Sequence, residues 1–195
     1  MSPTNQFGPT ESSTLGKLVP GRRKDARVQG PGPNRRATAY TVWIENARRR
    51  ELAVLSGLVS PMTCAEEIDL RIALLRERLR AAPSATVDHY VALYRGSTSP
   101  PNAHGSRQAL PAQVGIECVL PPGGVDGVEA CATPDGLVAT TEVVGPVELL
   151  PHAHAAVRAW CRANGWEVSG TSWEVHARWS GNPDHCRTAV YHSVR

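Results

Sequence analysis

Apolar residues first fall into a clear period after residue 63. Cys64, Ile68, Ile72, Leu75 and Leu79 recur at three- and four-residue steps, while Glu66, Glu67, Asp69, Arg71, Arg76, Glu77, Arg78 and Arg80 fill the positions between them. That spacing puts one buried stripe on an α-helix. Ser60-Pro61 marks its start, with Thr63 and Glu66 at capping-box spacing, and Pro83 ends it. Upstream, residues 40–59 mix β-branched residues with charges and contain the run Ala53-Val54-Leu55-Ser56-Gly57-Leu58-Val59, which predicts a broken strand pair. Downstream, strands are expected over 86–95 and 113–120, on either side of a Gly/Ser/Pro/Asn-rich loop from Gly96 to Pro111.

The second half repeats this order. A strand is predicted over 136–144, and Gly145-Pro146 echoes Ser60-Pro61. A helix then carries Leu149, Leu150, Ala153, Val157, Trp160 and Cys161 on one stripe, with Pro151 tolerable only in its first turn and Asn164-Gly165 as its stop. Strands over 166–180, bent at Gly170, and over 187–194 complete the chain. The pattern is β-α-β-β twice over, an internal duplication of pattern rather than of sequence. The expected fold class is α+β: tandem strand-helix-strand-strand modules with pseudo-twofold symmetry. Their antiparallel sheets form a central ligand groove, with the helices on the opposite face.

Composition changes this picture only at the N-terminus. Residues 1–38 are rich in Pro, Gly, Ser and Arg and have no apolar period. They are expected to form a flexible basic tail ahead of a single domain over 39–195. The chain's formal charge of +3 divides into +5 for residues 1–39 and −2 for the rest. A mildly acidic body gives specific DNA binding no electrostatic basis. No apolar run approaches a membrane span and no secretory start is visible, so a cytoplasmic location is expected. The abundance of Ala, Gly, Pro and Arg suggests a GC-rich bacterial genome. The five cysteines are scattered and lack a C-x-x-C pair, which fits reduced thiols better than disulfides or zinc. His152 and His154 point apart on a helix, and His185-Cys186 has no partner pair, so no metal or other cofactor is expected.

Candidate chemistry concentrates in the segment Trp173-Glu174-Val175-His176-Ala177-Arg178-Trp179. Strict alternation places Glu174, His176 and Arg178 on one strand face and the apolar residues on the other. With the apolar face turned to the helices, Glu174 faces the groove. A carboxylate in an apolar concavity loses hydration and needs a partner, which an organic cation can supply. Pairing with Arg178 is the plainer alternative. Tyr94 and Tyr191 are each consistent with ordinary half-buried strand packing, Trp43 with wall, rim or core, and Trp160 with the core.

Several stretches together resemble the GyrI-like family, the effector-binding domains also found in multidrug-sensing transcription regulators. In the second half these are Gly145-Pro146-Val147-Glu148-Leu149-Leu150, Ala159-Trp160, Asn164-Gly165, Ser172-Trp173-Glu174-Val175-His176 and Thr188-Ala189-Val190-Tyr191-His192-Ser193-Val194. In the first half they are Arg48-Arg49-Arg50-Glu51, Ala53 to Val59, and Tyr90-Val91-Ala92-Leu93-Tyr94-Arg95-Gly96. The resemblance covers residues 40–194. It implies paired modules with ligands in the central groove, Glu174 as anchor for cationic compounds, and Tyr94 and Tyr191 as aromatic walls. His176 stands where the family usually has tyrosine, Ala189 where it has glutamate, and Ser193 where it has proline.

Three function classes remain. The first is a protein that binds planar, hydrophobic, cationic organic compounds without chemistry, as in multidrug binding, sequestration or resistance. The second is a hydrolase that opens strained rings of alkylating natural products, with Glu174 as the catalytic group directing water. The third, a transcription regulator, needs an N-terminal helix-turn-helix that residues 1–38 are too short and too rich in glycine and proline to supply.

Overall fold

The computed structural model describes residues 26–29, 39–60, 64–80, 89–96, 109–177 and 185–195. The strands are β1 (Ala26–Gln29), β2 (Ala39–Ala47), β3 (Glu51–Val59), β4 (His89–Arg95), β5 (Leu110–Glu117), β6 (Glu129–Ala132), β7 (Gly136–Val144), β8 (Val168–Ala177) and β9 (Arg187–Val194). The helices are α1 (Cys64–Arg78) and α2 (Leu150–Ala163), the latter entered through a 3-10 turn over Val147–Leu149. All nine strands join one antiparallel sheet in the order β1-β2-β7-β9-β8-β4-β5-β3-β6.

The duplication is explicit in that order. β3-α1-β4-β5 and β7-α2-β8-β9 are the two modules, and they meet where β4 pairs with β8, Ala92 opposite Glu174. The strand preceding each module crosses to the other. β2 pairs with β7, and β6 pairs with β3. The expected strand pair over 40–59 is therefore two strands that belong to different halves and do not pair with each other. β6 was not anticipated. Neither was β1, which lies within the segment expected to be a tail and pairs with β2.

Each helix buries the stripe its period predicted. Cys64, Ile68, Ile72, Leu75 and Leu79 pack with Ala53, Ala92, Tyr94, Val114 and Ile116 beneath α1. At about 1.5–3 kcal/mol for each large aliphatic side chain buried, this stripe is a main contribution to the first module. Pro151 sits in the first turn of α2, and Asn164 caps its end ahead of Gly165 at φ +74°. Gly170, at φ +82°, lies within a register break in β8 between Val168 and Ser172, which is the expected bend.

One expectation about orientation is reversed. Both helices pack on the face that carries Glu174, not on the face that carries Trp173. Tyr94 lies beneath α1 and pairs with Ser172, while His154 of α2 bonds Glu174 directly. Trp173 and Val175 instead close a second core with Leu52, Val54, Val91, Leu93 and Val138 on the far face. Because both faces of β8 are covered, an apolar face did not identify the helical side. The groove lies between the helices. Cys64, Cys118 and Cys161 are buried, Cys131 and Cys186 half-buried, and none forms a disulfide. Among the described residues no helix is long and apolar enough to cross a membrane.

Candidate functional site

A cavity of about 500 Å³ opens between α1 and the entry to α2, within the range of small-molecule sites. Ile68, Asp69, Ile72 and Arg76 of α1 form one wall, and Pro146, Glu148 and Leu150 form the other. Tyr90, Glu174, His176 and Thr188 lie along its strand floor. The Tyr90 and His176 rings stack, with centroids 4.2 Å apart and planes 6° from parallel. A second cavity, of about 390 Å³, lies at Ser56, Leu93, Arg95 and Gln113. It has no buried ionisable group comparable with Glu174.

Glu174 is 2% exposed and sits at the centre of a polar network. Its Oε1 lies 2.9 Å from His154 Nε2, and its Oε2 lies 3.0 Å from His176 Nε2. The Tyr94 hydroxyl donates to Oε2 over 3.4 Å. His154 Nδ1 is 2.9 Å from His192 Nε2, and Thr188 Oγ1 is 3.2 Å from His176 Nδ1. Burial by itself would raise the Glu174 carboxyl. The hydrogen bonds from His154 and His176 outweigh it and hold the group at about 2. The carboxylate is therefore ionised at neutral pH, so each facing Nε2 carries a proton. Burial, then His154 and Arg158, holds His192 well below the usual imidazole range. A neutral His192 donates from Nε2 to His154 Nδ1, and the Thr188 hydroxyl donates to His176 Nδ1.

Strand alternation alone predicts a carboxylate short of partners. Instead the protein supplies the donors itself, from α2, β4 and β8. Arg178, the alternative partner, lies outside the described residues. Tyr94 is fully buried beneath α1 and reaches the cavity only through its hydroxyl on Glu174. Burial, then the Glu174 charge, pushes its phenol well up. Tyr191 and Trp43 lie on the far face. Tyr191 stacks on Trp173 at 5.1 Å, and the Trp43 indole donates to Glu45 over 2.8 Å. The structure thus brings Glu174, His176 and Tyr94 together and leaves Tyr191 and Trp43 on the other side of the sheet.

Three residues escaped the sequence analysis. Tyr90 stood beside Tyr94 in the same strand, but its outward neighbour His176 was not visible locally. His154 falls at i+4 from Leu150 and i−3 from Val157, on the buried stripe of α2, and its polarity kept it off that stripe. His192 falls on the same buried face as Thr188, Val190 and Val194 at two-residue steps, so period 2 could have found it.

No family model and no curated protein matches the sequence. Solved structures do match in fold. EcmrR in its DNA complex aligns over 80% of this chain at 14% identity and a TM-score of 0.65. This chain covers 57% of the length of that EcmrR chain, and 98% of the isolated EcmrR C-terminal domain. SAV2435 bound to tetraphenylphosphonium aligns over 79% of this chain and 93% of its own, at 7% identity and a TM-score of 0.54. A hydrolase encoded by lin2189 from Listeria innocua aligns over 79% and 91%, at 12% identity and a TM-score of 0.51. These likenesses support the fold that the resemblance to GyrI-like domains implies.

Proposed function

We propose that the cavity between α1 and α2 binds small, planar, hydrophobic organic cations. The observation that carries this reading is an ionised, fully buried carboxylate, Glu174, directly behind an aromatic floor formed by Tyr90 and His176. Hydrogen bonds stabilise the charge of Glu174 without cancelling it, and in an apolar surround it acts over a longer range than in water. The aromatic face adds about 0.5–2 kcal/mol for a cation placed against it. Around the opening, Asp69 and Glu148 stand against Arg76 and an Arg187 already paired with Glu142, so the rim does not oppose the negative charge of Glu174. The fold shared with SAV2435, whose structure holds the cation tetraphenylphosphonium, agrees with this reading.

Hydrolysis fits the arrangement less well. A base that activates water needs a lone pair aimed at the substrate. Both His176 nitrogens are engaged, and Glu174 already accepts three protein donors, two of them on Oε2.

The test uses two ligands of one shape, 10-methylacridinium and the neutral 9-methylanthracene. Fluorescence anisotropy should show the cation binding about tenfold or more tightly, and mass spectrometry should recover it unchanged. Equal affinity for the two removes the cation preference. Turnover of a strained-ring electrophile to a product one water heavier supports the hydrolase instead.

A further inference from the structure

We propose that His176 is a proton-binding gate: a proton on its Nδ1 and an organic cation in the cavity exclude one another. The inference rests on the cation-binding reading and names how that site is regulated.

The geometry singles out His176 among the three buried imidazoles. It alone lines the cavity, where its ring is stacked on Tyr90. Its Nε2–H is committed to Glu174, so a second proton must enter at Nδ1, which faces Thr188 Oγ1 at 3.2 Å. A hydroxyl both donates and accepts. Thr188 therefore turns from donor to acceptor with no movement of heavy atoms, and His176 becomes imidazolium between a carboxylate and a hydroxyl oxygen. At His154 the incoming proton would meet the Nε2–H of His192, whose ring would have to change tautomer.

The charge balance then follows. With neutral imidazoles, Glu174 gives the network a net charge of −1, and one proton on His176 brings it to zero. Other charged or titratable groups line the cavity with His176 from every neighbouring element: Cys64, Asp69 and Arg76 from α1, His89 and Tyr90 from β4, Glu148 from the entry to α2, and Cys186 and Arg187 ahead of and within β9. Asp69 and Glu148 stand against Arg76 and an Arg187 already paired with Glu142 at 3.2 Å, so among the described residues no rim cation is left to cancel Glu174, and the proton on His176 sets the charge of the floor. Imidazole titrates near physiological pH and a carboxylate held as low as Glu174 does not. The response of the site to pH is thereby set at an imidazole and not at its carboxylate anchor.

The test measures the affinity of 10-methylacridinium between about pH 5 and 8, together with isothermal titration in two buffers of different ionisation enthalpy. Affinity should fall about tenfold per pH unit on the acid limb, with up to one proton released per cation bound there. The affinity of 9-methylanthracene should stay flat. His176→Gln should abolish both the slope and the proton release. Thr188→Val, which removes the acceptor for the second proton but leaves the ring in place, should move the affinity midpoint to lower pH. Cation binding that is independent of pH, with no buffer dependence, overturns the gate and leaves the binding reading intact. No cation binding at any pH overturns both. A slope that persists in His176→Gln assigns the proton elsewhere and overturns the gate.

Discussion

Glu174→Gln separates charge from shape at the centre of the site. Glutamine keeps the size of the side chain and one acceptor, which can stay on the His154 Nε2–H. The new amide N–H then faces His176 Nε2, which can accept if His176 takes the other tautomer and donates from Nδ1 to Thr188 Oγ1. The Tyr94 hydroxyl, which donated to Oε2, can accept the second amide hydrogen, so only its own O–H is left without an acceptor, and the fold should survive. In stability, the carboxylate held at about 2 rather than its ordinary 4.5 corresponds to about 3 kcal/mol above pH 5. Its folded value is depressed, so that stability is present above the unfolded value and disappears as pH falls from about 4.5 to about 2. The variant should lose this acid dependence. In binding, a cation on the Tyr90–His176 floor lies about 6–8 Å from the carboxylate, worth about 2–3 kcal/mol at an effective dielectric near 20.

The expected loss for 10-methylacridinium is therefore about 30- to 150-fold, with 9-methylanthracene changed less than about twofold. Anisotropy titrations of both ligands, with circular dichroism as a check on folding, read this directly. Equal losses for the two ligands would show that Glu174 supports the structure and not the charge of the site, and the electrostatic argument would fail.

Other outcomes follow from the same geometry. Tyr90→Ala should weaken both ligands by about 1–2 kcal/mol through lost stacking, whereas Tyr191→Ala should leave both affinities within about twofold and lower stability in urea by about 1–3 kcal/mol. Weakened binding in Tyr191→Ala would place the ligand on the far face. His192 is held below its ordinary value, so the unfolded chain binds more protons and stability should decline as pH falls below about 6.5. His192→Gln should flatten that limb in pH-dependent urea melts. Gly115→Ala should cost about 1–3 kcal/mol, because its Cβ would lie 2.6 Å from Val54 Cγ1 and 3.0 Å from the Ala53 carbonyl oxygen. An unchanged melting temperature would contradict that packing.

The sequence disclosed elements whose signals are local. β7 and β9 match their predicted limits, and α1 with the turn after it buries the five residues its period named. β6 was lost because four residues after Pro121-Pro122-Gly123-Gly124 carry too short an alternation. The split of 40–59 was lost because exchange of β2 into the second module is a long-range pairing that leaves no local trace. Alternation in β8 correctly grouped Glu174 with His176. It could not say which face the helices cover, since Trp173 and Val175 are as buried as a helix-facing pair. His154 was excluded by polarity from a stripe its spacing fitted, because a buried histidine is recognisable only once its partner is known.

That partner explains why the site can be rigid and responsive at once. Both faces of the central strands are packed: the far one by Trp173, Val175, Val91 and Leu93, the near one by Tyr94 and Ala92. The floor beneath the ligand is thereby fixed, and Glu174 needs no reorganisation when a cation arrives, which is where preorganised electrostatics are most effective. His154 ties α2 to that floor through two hydrogen bonds, to Glu174 of β8 and His192 of β9, from a helix face otherwise carrying Leu150, Ala153, Val157 and Cys161. A charge change at Glu174 is consequently felt at α2 through the 2.9 Å bond from His154. The same carboxylate that sets ligand charge preference also sets how firmly one wall of the cavity is held. Loss of both bonds in His154→Leu should loosen the α2 wall, raising amide exchange in α2 while β8 stays protected. Equal exchange in both elements would mean that apolar packing alone positions the helix.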